Sequence, residues 1–228
     1  MKRVFVIIPA YNEEKAIGNV IADIPPKWVE EIIVVNNNSK DNTAQNAIKH
    51  GAKVLFEPRK GYGNACLKGI EYLKNKKNTP EIVVFMDADY SDYPEELEKL
   101  IQPILLGKAD LVIGSRELGT RERGSMTIPQ IFGNWLATRL IYLFYKEKFT
   151  DLGPFRAITW PALLALEMKD KTFGWTVEMQ VKAAKYGLKS VEVPVNYRQR
   201  IGVSKVSGTV KGTILAGYKI ITTIFRYI

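Results

Sequence analysis

Short apolar runs alternate along the chain with segments whose apolar residues recur at helical spacing. The apolar runs predict strands at 3–9, 31–35, 53–56, 83–86 and 109–114. Helical spacing predicts a first helix that Asn12 caps and further helices that begin near Asn42, near Asn64 and at Pro94. Strands that alternate with helices through short loops are typical of an α/β fold, here a doubly wound, mostly parallel sheet.

The pattern changes after Gly119. The segment 131–145 is almost wholly apolar and aromatic, yet shorter than the roughly 20 residues of a membrane span. It is either a core helix or an interfacial helix, and we favour the core. The remaining predictions are a turn at 151–156, a helix at 175–186, a last strand at 190–195 and an amphipathic helix at 209–228. That last helix either packs on the domain or lies on an anionic membrane surface.

Positive charge is concentrated in the second half of the chain. Residues 1–115 contain 15 Lys and Arg against 16 Asp and Glu, whereas residues 116–228 contain 18 against 8, so the net charge of +9 arises wholly there. This excess predicts an anionic partner: a diphosphate, a lipid phosphate, a membrane surface or nucleic acid. Nucleic acid is disfavoured because the basic residues are scattered among apolar helices.

The counts of cysteine and histidine exclude several kinds of site. Cys66 is the single cysteine and His50 the single histidine. These counts argue against Cys–His catalysis, a Ser-His-Asp triad and a His-based metal site, and Cys66 is interpreted as a structural thiol. The first residues run straight into a strand without a signal peptide, so we expect a cytosolic protein.

Two carboxylates follow the apolar run 83–86. Asp87 and Asp89 are two residues apart, so on an extended chain their side chains leave the same face. Open α/β sheets bind ligands at the carboxyl ends of their strands, and carboxylate oxygens there can hold Mg²⁺ or Mn²⁺ against a substrate diphosphate. The alternative is a plain turn after the strand.

Three loops are expected to meet beside this pair. They follow the strands that end at Pro9, at Val35 and at Met86. The carboxyl ends of parallel strands share one edge of a sheet, so Tyr11, the polar run 36–41 and the two aspartates are predicted around one crevice. This convergence is a stronger signal than any single motif.

Several motifs occur in order over nearly the whole chain. They are Pro9-Ala10-Tyr11-Asn12-Glu13, Asn37-Asn38-Ser39 with Asp41-Asn42-Thr43, Lys60-Gly61-Tyr62-Gly63-Asn64, Asp87-Ala88-Asp89, Gly114-Ser115-Arg116, Asp151 through Arg156, and Tyr197 through Lys205. With them the chain resembles the family-2 glycosyltransferases of the nucleotide-sugar-binding GT-A fold, in the branch of the dolichyl-phosphate mannose synthases. The resemblance implies one domain over 1–228, with a nucleotide-sugar half at 1–118 and an acceptor-side half at 119–228.

The resemblance also implies roles for individual residues. Asp87 and Asp89 would hold Mg²⁺ or Mn²⁺ and the donor diphosphate, and the cation would stabilise charge on the leaving nucleotide. Family members invert the anomeric carbon by direct displacement, so no covalent intermediate is expected. The other implied donor-binding residues are Pro9, Tyr11, Glu13, Asn36, Asn37, Lys60, Ala88, Ser204 and Lys205. The implied catalytic residues are Asp89, Arg116, Arg200 and, for one class of acceptor, Glu178.

Two departures from the family pattern bear on specificity. The family often has aspartate where this chain has Asn36 or Asn37, and an amide carbonyl accepts a hydrogen bond with less charge. The base of the donor, and with it the choice between UDP and GDP, is therefore left open. Lipid-phosphate enzymes often carry a basic residue near the position of Gln130, where this chain has an amide.

The acceptor separates two hypotheses. One is transfer of a hexose to a polyprenyl phosphate by an enzyme in peripheral contact with a membrane; the other is transfer to a soluble hydroxyl acceptor. A hydroxyl must lose a proton to a base, for which Glu178, or else Asp151, is the candidate. The alternative for Glu178 is a first-turn residue that stabilises its helix. We favour the lipid phosphate because the positive charge lies beside two apolar helices.

Overall fold

The computed structural model describes residues 3–202 and 210–228, and within the second range it does not describe the side chains of 210–214 and 216. These residues contain one seven-stranded sheet with the strand order β3-β2-β1-β4-β6-β5-β7. The strands are β1 (Val4–Ala10), β2 (Val29–Asn36), β3 (Lys53–Phe56), β4 (Ile82–Phe85), β5 (Leu111–Ser115), β6 (Arg156–Thr159) and β7 (Ser190–Pro194).

Helices cover both faces of this sheet, as the alternation of strands and helices predicts. They are α1 (Ile17–Asp23), α2 (Thr43–Lys49), α3 (Tyr62–Lys74), α4 (Leu97–Leu105), α5 (Ile128–Tyr145), α6 (Trp160–Ala165), α7 (Trp175–Lys185) and α8 (Val210–Arg226), with a 3₁₀ turn at Pro94–Glu96. Alternate residues of β1 enter different cores: Phe5 and Ile7 pack with α3 and α7, while Val6 and Ile8 pack with α1 and α4.

One strand runs against the others. The predicted turn at 151–156 ends in β6, which pairs antiparallel with both β4 and β5. Its first residue, Arg156, is fully buried, and its guanidinium donates to the carbonyl oxygens of Leu152, Gly153 and Thr176. Backbone acceptors thus satisfy a buried cation. The sheet is mostly parallel, as predicted, and β6 is its antiparallel strand.

The prediction that Asn12 caps α1 is wrong. The helix begins at Ile17, after a turn in which Glu13 O accepts from Ala16 N and Ile17 N. Asn12 instead has a φ of 54° and is bonded across to the next loop: Ser39 Oγ accepts from Asn12 N, and Asn12 Oδ1 accepts from Lys40 N. Its side chain therefore fixes the two loops after β1 and β2 together.

The expectation of a core helix at 131–145 is wrong for most of its large side chains. The buried positions of α5 are Asn134, Ala137, Thr138 and Ile141. Its exposed apolar side chains include Ile128, Ile131, Phe132, Trp135, Tyr142, Leu143 and Phe144. The first turn is fixed by a capping box, in which Thr127 Oγ1 accepts from Gln130 N and Gln130 Oε1 accepts from Thr127 N.

The end of the chain packs against α5 and α7. The ring centroids of Phe144 and Phe225 are 5.1 Å apart, and the Tyr145 hydroxyl donates to Ile224 O. Lys219 forms an ion pair with Asp170, with 2.9 Å between Nζ and Oδ2. In the described part of the chain, no helix combines the length and apolar character needed to cross a membrane.

Candidate active site

A cavity of about 650 Å³ lies at the carboxyl ends of the strands. The loops after β1, β2 and β4 meet there because the strands are parallel and adjacent. Of the predicted site residues, ten line it: Pro9, Tyr11, Glu13, Asn37, Lys60, Asp87, Ala88, Asp89, Arg116 and Arg200. The structure thus brings together residues that are up to 191 positions apart in the chain, from Pro9 to Arg200.

Four predicted residues are not among those that line the cavity. Asn36 ends β2, and its Oδ1 accepts from Ser39 N at 2.9 Å, so it shapes the loop instead. Glu178 is fully buried under α8. Its carboxylate lies 2.7 Å from Lys182 Nζ and accepts from Asp170 N and the Tyr227 hydroxyl. Ser204 and Lys205 lie outside the described residues.

Asp89 is the most constrained acid of the cavity. It is only 5% exposed, and each of its carboxylate oxygens has a partner. Oδ1 accepts from the backbone and hydroxyl of Ser91 at 3.0 and 2.5 Å, and Oδ2 lies 2.8 Å from Arg200 Nη1. A guanidinium this close neutralises a carboxylate that the fold has removed from water.

Two further carboxylates crowd around Asp89. Burial, followed by the charge of Asp89, raises the pKa of Asp87 to about 6, although Arg200 and Arg116 act in the opposite direction. Asp92 was missed by the sequence analysis; burial and the charges of Asp87 and Asp89 raise its pKa well above the ordinary value. Three acids so close together favour a cation beside them.

These residues fit a divalent cation. Asp87 Oδ1 is buried and has no hydrogen-bond partner, and Asp89 already holds the positive charge of Arg200. Carboxylate oxygens are hard ligands of the kind that Mg²⁺ and Mn²⁺ prefer. No set of three or more His, Cys, Asp or Glu side chains in the described residues is arranged to enclose a metal. The chain therefore suits a metal that takes its remaining ligands from phosphate and water.

Arg116 enters the cavity wall as one half of a buried ion pair. Its Nε and Nη2 donate to the two carboxylate oxygens of Asp151 at 2.8 and 2.7 Å, and its backbone N–H donates to the same group. Burial alone would raise the pKa of Asp151, but the charge and hydrogen bonds of Arg116 hold it below the ordinary value. Asp151 therefore stays ionised and fixes the guanidinium, and its carboxylate is poorly suited to be a base.

The segment that carries Arg200 lies across the aspartates. Arg198 N donates to Ser91 O, and Ile201 N donates to Asp89 O, so backbone bonds flank the Arg200–Asp89 pair. The Arg198 guanidinium lies 3.5 Å from the ring centroid of Tyr90. Tyr90 has a φ of 64°, a conformation that is costly for a bulky residue and is held here by its neighbours. These contacts fix the turn after β4 against the segment that carries Arg200.

Comparison with known proteins identifies the family. The model of Glycosyl transferase family 2 matches residues 5–164, well over half of the chain. The chain belongs to this family of glycosyltransferases.

Two relatives match most of the chain. An uncharacterized glycosyltransferase of Mycobacterium tuberculosis is 37% identical over 217 residues, 93% of this chain and 94% of its own. The UDP-N-acetylglucosamine–dolichyl-phosphate N-acetylglucosaminyltransferase of Methanococcus voltae is 30% identical over 221 residues, 85% of each chain.

A solved structure shows the same fold. Glucosyl-3-phosphoglycerate synthase of Mycobacterium tuberculosis, crystallised with Mn²⁺, UDP and phosphoglyceric acid, superposes with a TM-score of 0.79 at 22% identity. The match covers 99% of this chain and 78% of that one. The sheet of this glycosyltransferase is therefore a GT-A sheet.

The cavity of this glycosyltransferase is also lined by Tyr11, Lys60 and Asn37. Lys60 Nζ donates to the Tyr11 hydroxyl at 3.3 Å and lies 5.2 Å from the centroid of its ring. Asn37 uses both amide hydrogens on the carbonyl oxygens of Glu57 and Arg59, and its Oδ1 accepts from Gly61 N. Asn37 therefore fixes the 57–61 loop, and its amide hydrogens are already used.

Several further lining residues carried no signal that the sequence analysis used. They come from segments that are distant in sequence and mostly apolar: Met126, Pro129, Gly133, Phe173, Trp175, Gly217 and Ile220. Asp92 did carry a signal, because it is a third acid close in sequence to Asp87 and Asp89. In the structure the turn after Asp89 brings its carboxylate back to the site, where it accepts from Asp87 N.

Proposed function

We propose that this glycosyltransferase moves a hexose from a nucleoside diphosphate sugar, carrying UDP or GDP, to a polyprenyl phosphate at a membrane surface. Asp89 and Asp87 would hold Mg²⁺ or Mn²⁺ against the donor diphosphate. When bound, that cation would offset the charge of the leaving nucleotide. The crystallised synthase of the same fold holds Mn²⁺ and UDP, which supports this donor chemistry.

The chain's own residues supply the rest of the donor site. Pro9, Tyr11 and Glu13 line the cavity together with Lys60 and would bind the base and ribose. Arg200 and Arg116 also line the cavity, and donors fixed in advance stabilise charge that develops on a leaving group. Arg116 is held in place by Asp151, whereas Arg200 can exchange Asp89 for phosphate oxygens.

The observation that carries the choice of acceptor is the lack of a suitable base. Among the described residues that line the cavity, the acids are Glu13, Asp87 and Asp89; in the proposed arrangement the two aspartates face the diphosphate and Glu13 faces the base and ribose. The sequence 203–216 contains no acid and no histidine. A phosphate monoester needs no base, because its oxygen is already anionic.

The proposed step is a single displacement. An oxygen of the acceptor phosphate attacks the anomeric carbon and forms a new C–O bond, while the bond from that carbon to the donor diphosphate breaks. The leaving nucleoside diphosphate takes the electron pair, and no proton has to move. The relative that is named for dolichyl phosphate supports an acceptor of this class.

A two-way panel tests the proposal. UDP- and GDP-hexoses are each combined with Mn²⁺ or Mg²⁺ and with a polyprenyl phosphate, a phosphorylated hydroxyl acid or a simple sugar. Nucleotide release and labelled product are measured together. We expect transfer only with the polyprenyl phosphate, and only with a divalent cation. Efficient transfer to a hydroxyl acceptor, with none to the lipid phosphate, would overturn the acceptor assignment.

A further inference from the structure

Two helical glycines line the cavity, and nothing in the described part of the structure requires glycine at either position. Gly133 lies in α5 and Gly217 in α8. A Cβ built on either would meet no atom of the described structure within 4 Å, and neither has a positive φ. By contrast, a Cβ on Gly61 or Gly63 would come within 2.2 Å of a backbone carbonyl oxygen in the 170–171 loop. Packing explains the second pair of glycines and not the first.

Glycine inside a helix is unfavourable relative to alanine, because it loses more conformational freedom on folding. Among the described residues, neither close packing nor an unusual backbone conformation offsets this loss at Gly133 and Gly217. The missing side chains leave more space in the cavity wall that α5 and α8 form. Space kept at the expense of helix stability argues for a ligand that uses it.

The lining of the cavity combines apolar and polar side chains. Met126, Pro129, Phe173 and Ile220 are apolar; the others include the charged Asp87, Asp89, Arg116 and Arg200 and the amides Gln130 and Asn134 of α5. The two helices join near their C-terminal ends, through Phe144 and Phe225. In sequence, Gly133 follows the exposed Phe132 and Gly217 precedes the exposed Tyr218. The cavity therefore offers both charged and apolar lining, on helices that also carry exposed apolar side chains.

We propose that Gly133 and Gly217 form an acceptor-chain subsite, which admits the isoprenoid chain of a polyprenyl phosphate between α5 and α8. The anionic head reaches Arg116 and Arg200, and the chain passes the two glycines toward the exposed apolar faces. An amphiphile with an anionic head matches both kinds of lining, whereas a fully polar acceptor leaves the apolar side chains without a partner. This inference rests on the proposed function and assigns its second substrate to a place.

Bulk introduced at either glycine tests the subsite. Gly133→Leu and Gly217→Leu are compared with Thr222→Leu, which enlarges a side chain of α8 that does not line the cavity. Acceptors are a long-chain polyprenyl phosphate and a short alkyl phosphate with the same head group. We expect kcat/KM for the long chain to fall about tenfold or more in both glycine variants, with the short acceptor and the control unchanged. The Kd for UDP or GDP with Mn²⁺, measured by calorimetry, should stay at the wild-type value.

The outcomes separate this inference from the proposed function. If wild-type enzyme transfers sugar to the long-chain acceptor and both leucine variants do so equally well, the subsite is wrong and the function stands. If the wild type uses no isoprenyl phosphate, the acceptor assignment itself fails and the subsite fails with it. Should a leucine variant not fold, Gly133→Ala and Gly217→Ala must still show a smaller, selective loss with the long chain; equal rates with both acceptors would overturn the subsite.

Discussion

Arg200 Nη1 lies 2.8 Å from Asp89 Oδ2, so an arginine of the 197–202 segment is the cation that neutralises the central carboxylate of the cavity. The other oxygen of Asp89 is bound to Ser91. In the proposed function, a divalent cation would reach Asp89 by sharing or taking the place of this guanidinium. Arg200 would then be released toward the donor phosphates, and this exchange would link the binding of metal to the position of the segment.

The first prediction concerns Asp89 itself. Asp89→Asn keeps the shape of the side chain but removes its charge, so we expect turnover to fall by about 10²–10³-fold or more. Donor affinity should also lose its dependence on Mn²⁺ or Mg²⁺. Turnover and calorimetric donor binding, each with metal and with chelator, measure both effects. Asp110→Asn, remote from the cavity, is the control. Full activity of Asp89→Asn in excess chelator would contradict the role.

The second prediction concerns Arg200. Its loss leaves Asp89 buried without a cation, which is destabilising in a way that removal of an exposed charge is not. We expect Arg200→Ala to lower the Tm of chelator-treated protein, and added Mn²⁺ to raise the Tm of this variant more than that of wild type. Turnover should still fall, because the phosphates lose a donor. Arg123→Ala, at an exposed loop position, is the control. An equal Mn²⁺ response in variant and wild type would argue against the competition.

The third prediction is a pH dependence that arises from Asp87. Its pKa of about 6 lies above the ordinary 3.8, so between these values the folded chain keeps a proton that the unfolded chain has released. The contribution of Asp87 to stability is therefore most favourable at the acid end and is lost as pH rises through about 6. Urea unfolding of chelator-treated protein at about pH 5 and about pH 7 should show a smaller pH effect in Asp87→Asn than in wild type. An identical pH effect in both would rule this out.

Sequence patterns predicted the sheet and most of the cavity for a physical reason. Buried parallel strands read as apolar runs, and the residues that follow them must lie at one edge of the sheet. That rule alone brings Tyr11, Asn37 and Asp89 together, although it says nothing of how they pair. The partner of Asp89 is Arg200, which is far away in sequence and reaches the site because β7 pairs with β5 and leads into its segment.

Other features could not be predicted because they depend on tertiary partners. β6 has only four residues and begins with Arg156, whose burial is compensated by carbonyl oxygens of other segments. Glu178 illustrates the same limit. Its position early in a helix fits both a base and a structural acid. Only its contacts with Lys182 and with the backbone of 169–170 identify it as a structural acid.

The fourth prediction separates these two roles for Glu178. Glu178→Gln leaves Lys182, which is 3% exposed, without its anion, and loss of one partner of a buried pair costs about 3–5 kcal/mol. We expect a clear drop in Tm and in the free energy of unfolding, with turnover per folded molecule close to wild type. The fraction of folded enzyme is measured by titrating the active site with nucleotide, and turnover is divided by that fraction. A stable Glu178→Gln variant with a rate loss of roughly 10²–10⁴-fold would instead restore it as the base for a hydroxyl acceptor.

The last prediction concerns the exposed apolar faces of α5 and α8 as a membrane-contacting surface. Phe132 and Trp135 on α5 and Phe225 on α8 are between 49% and 59% exposed. Large apolar patches beside a basic residue, here the exposed Arg139, favour contact with an anionic bilayer. Each basic residue near the bilayer contributes on the order of 1 kcal/mol to the binding free energy, and salt screens this contribution. We expect binding to phosphatidylglycerol vesicles that weakens as salt rises, measured by co-sedimentation. Phe132→Ser should weaken it, whereas Phe56→Ser, which replaces a phenyl group 57% exposed on β3, should not. Equal binding by both variants would show that the contact lies elsewhere, and no binding by wild type would remove the membrane from the proposed reaction.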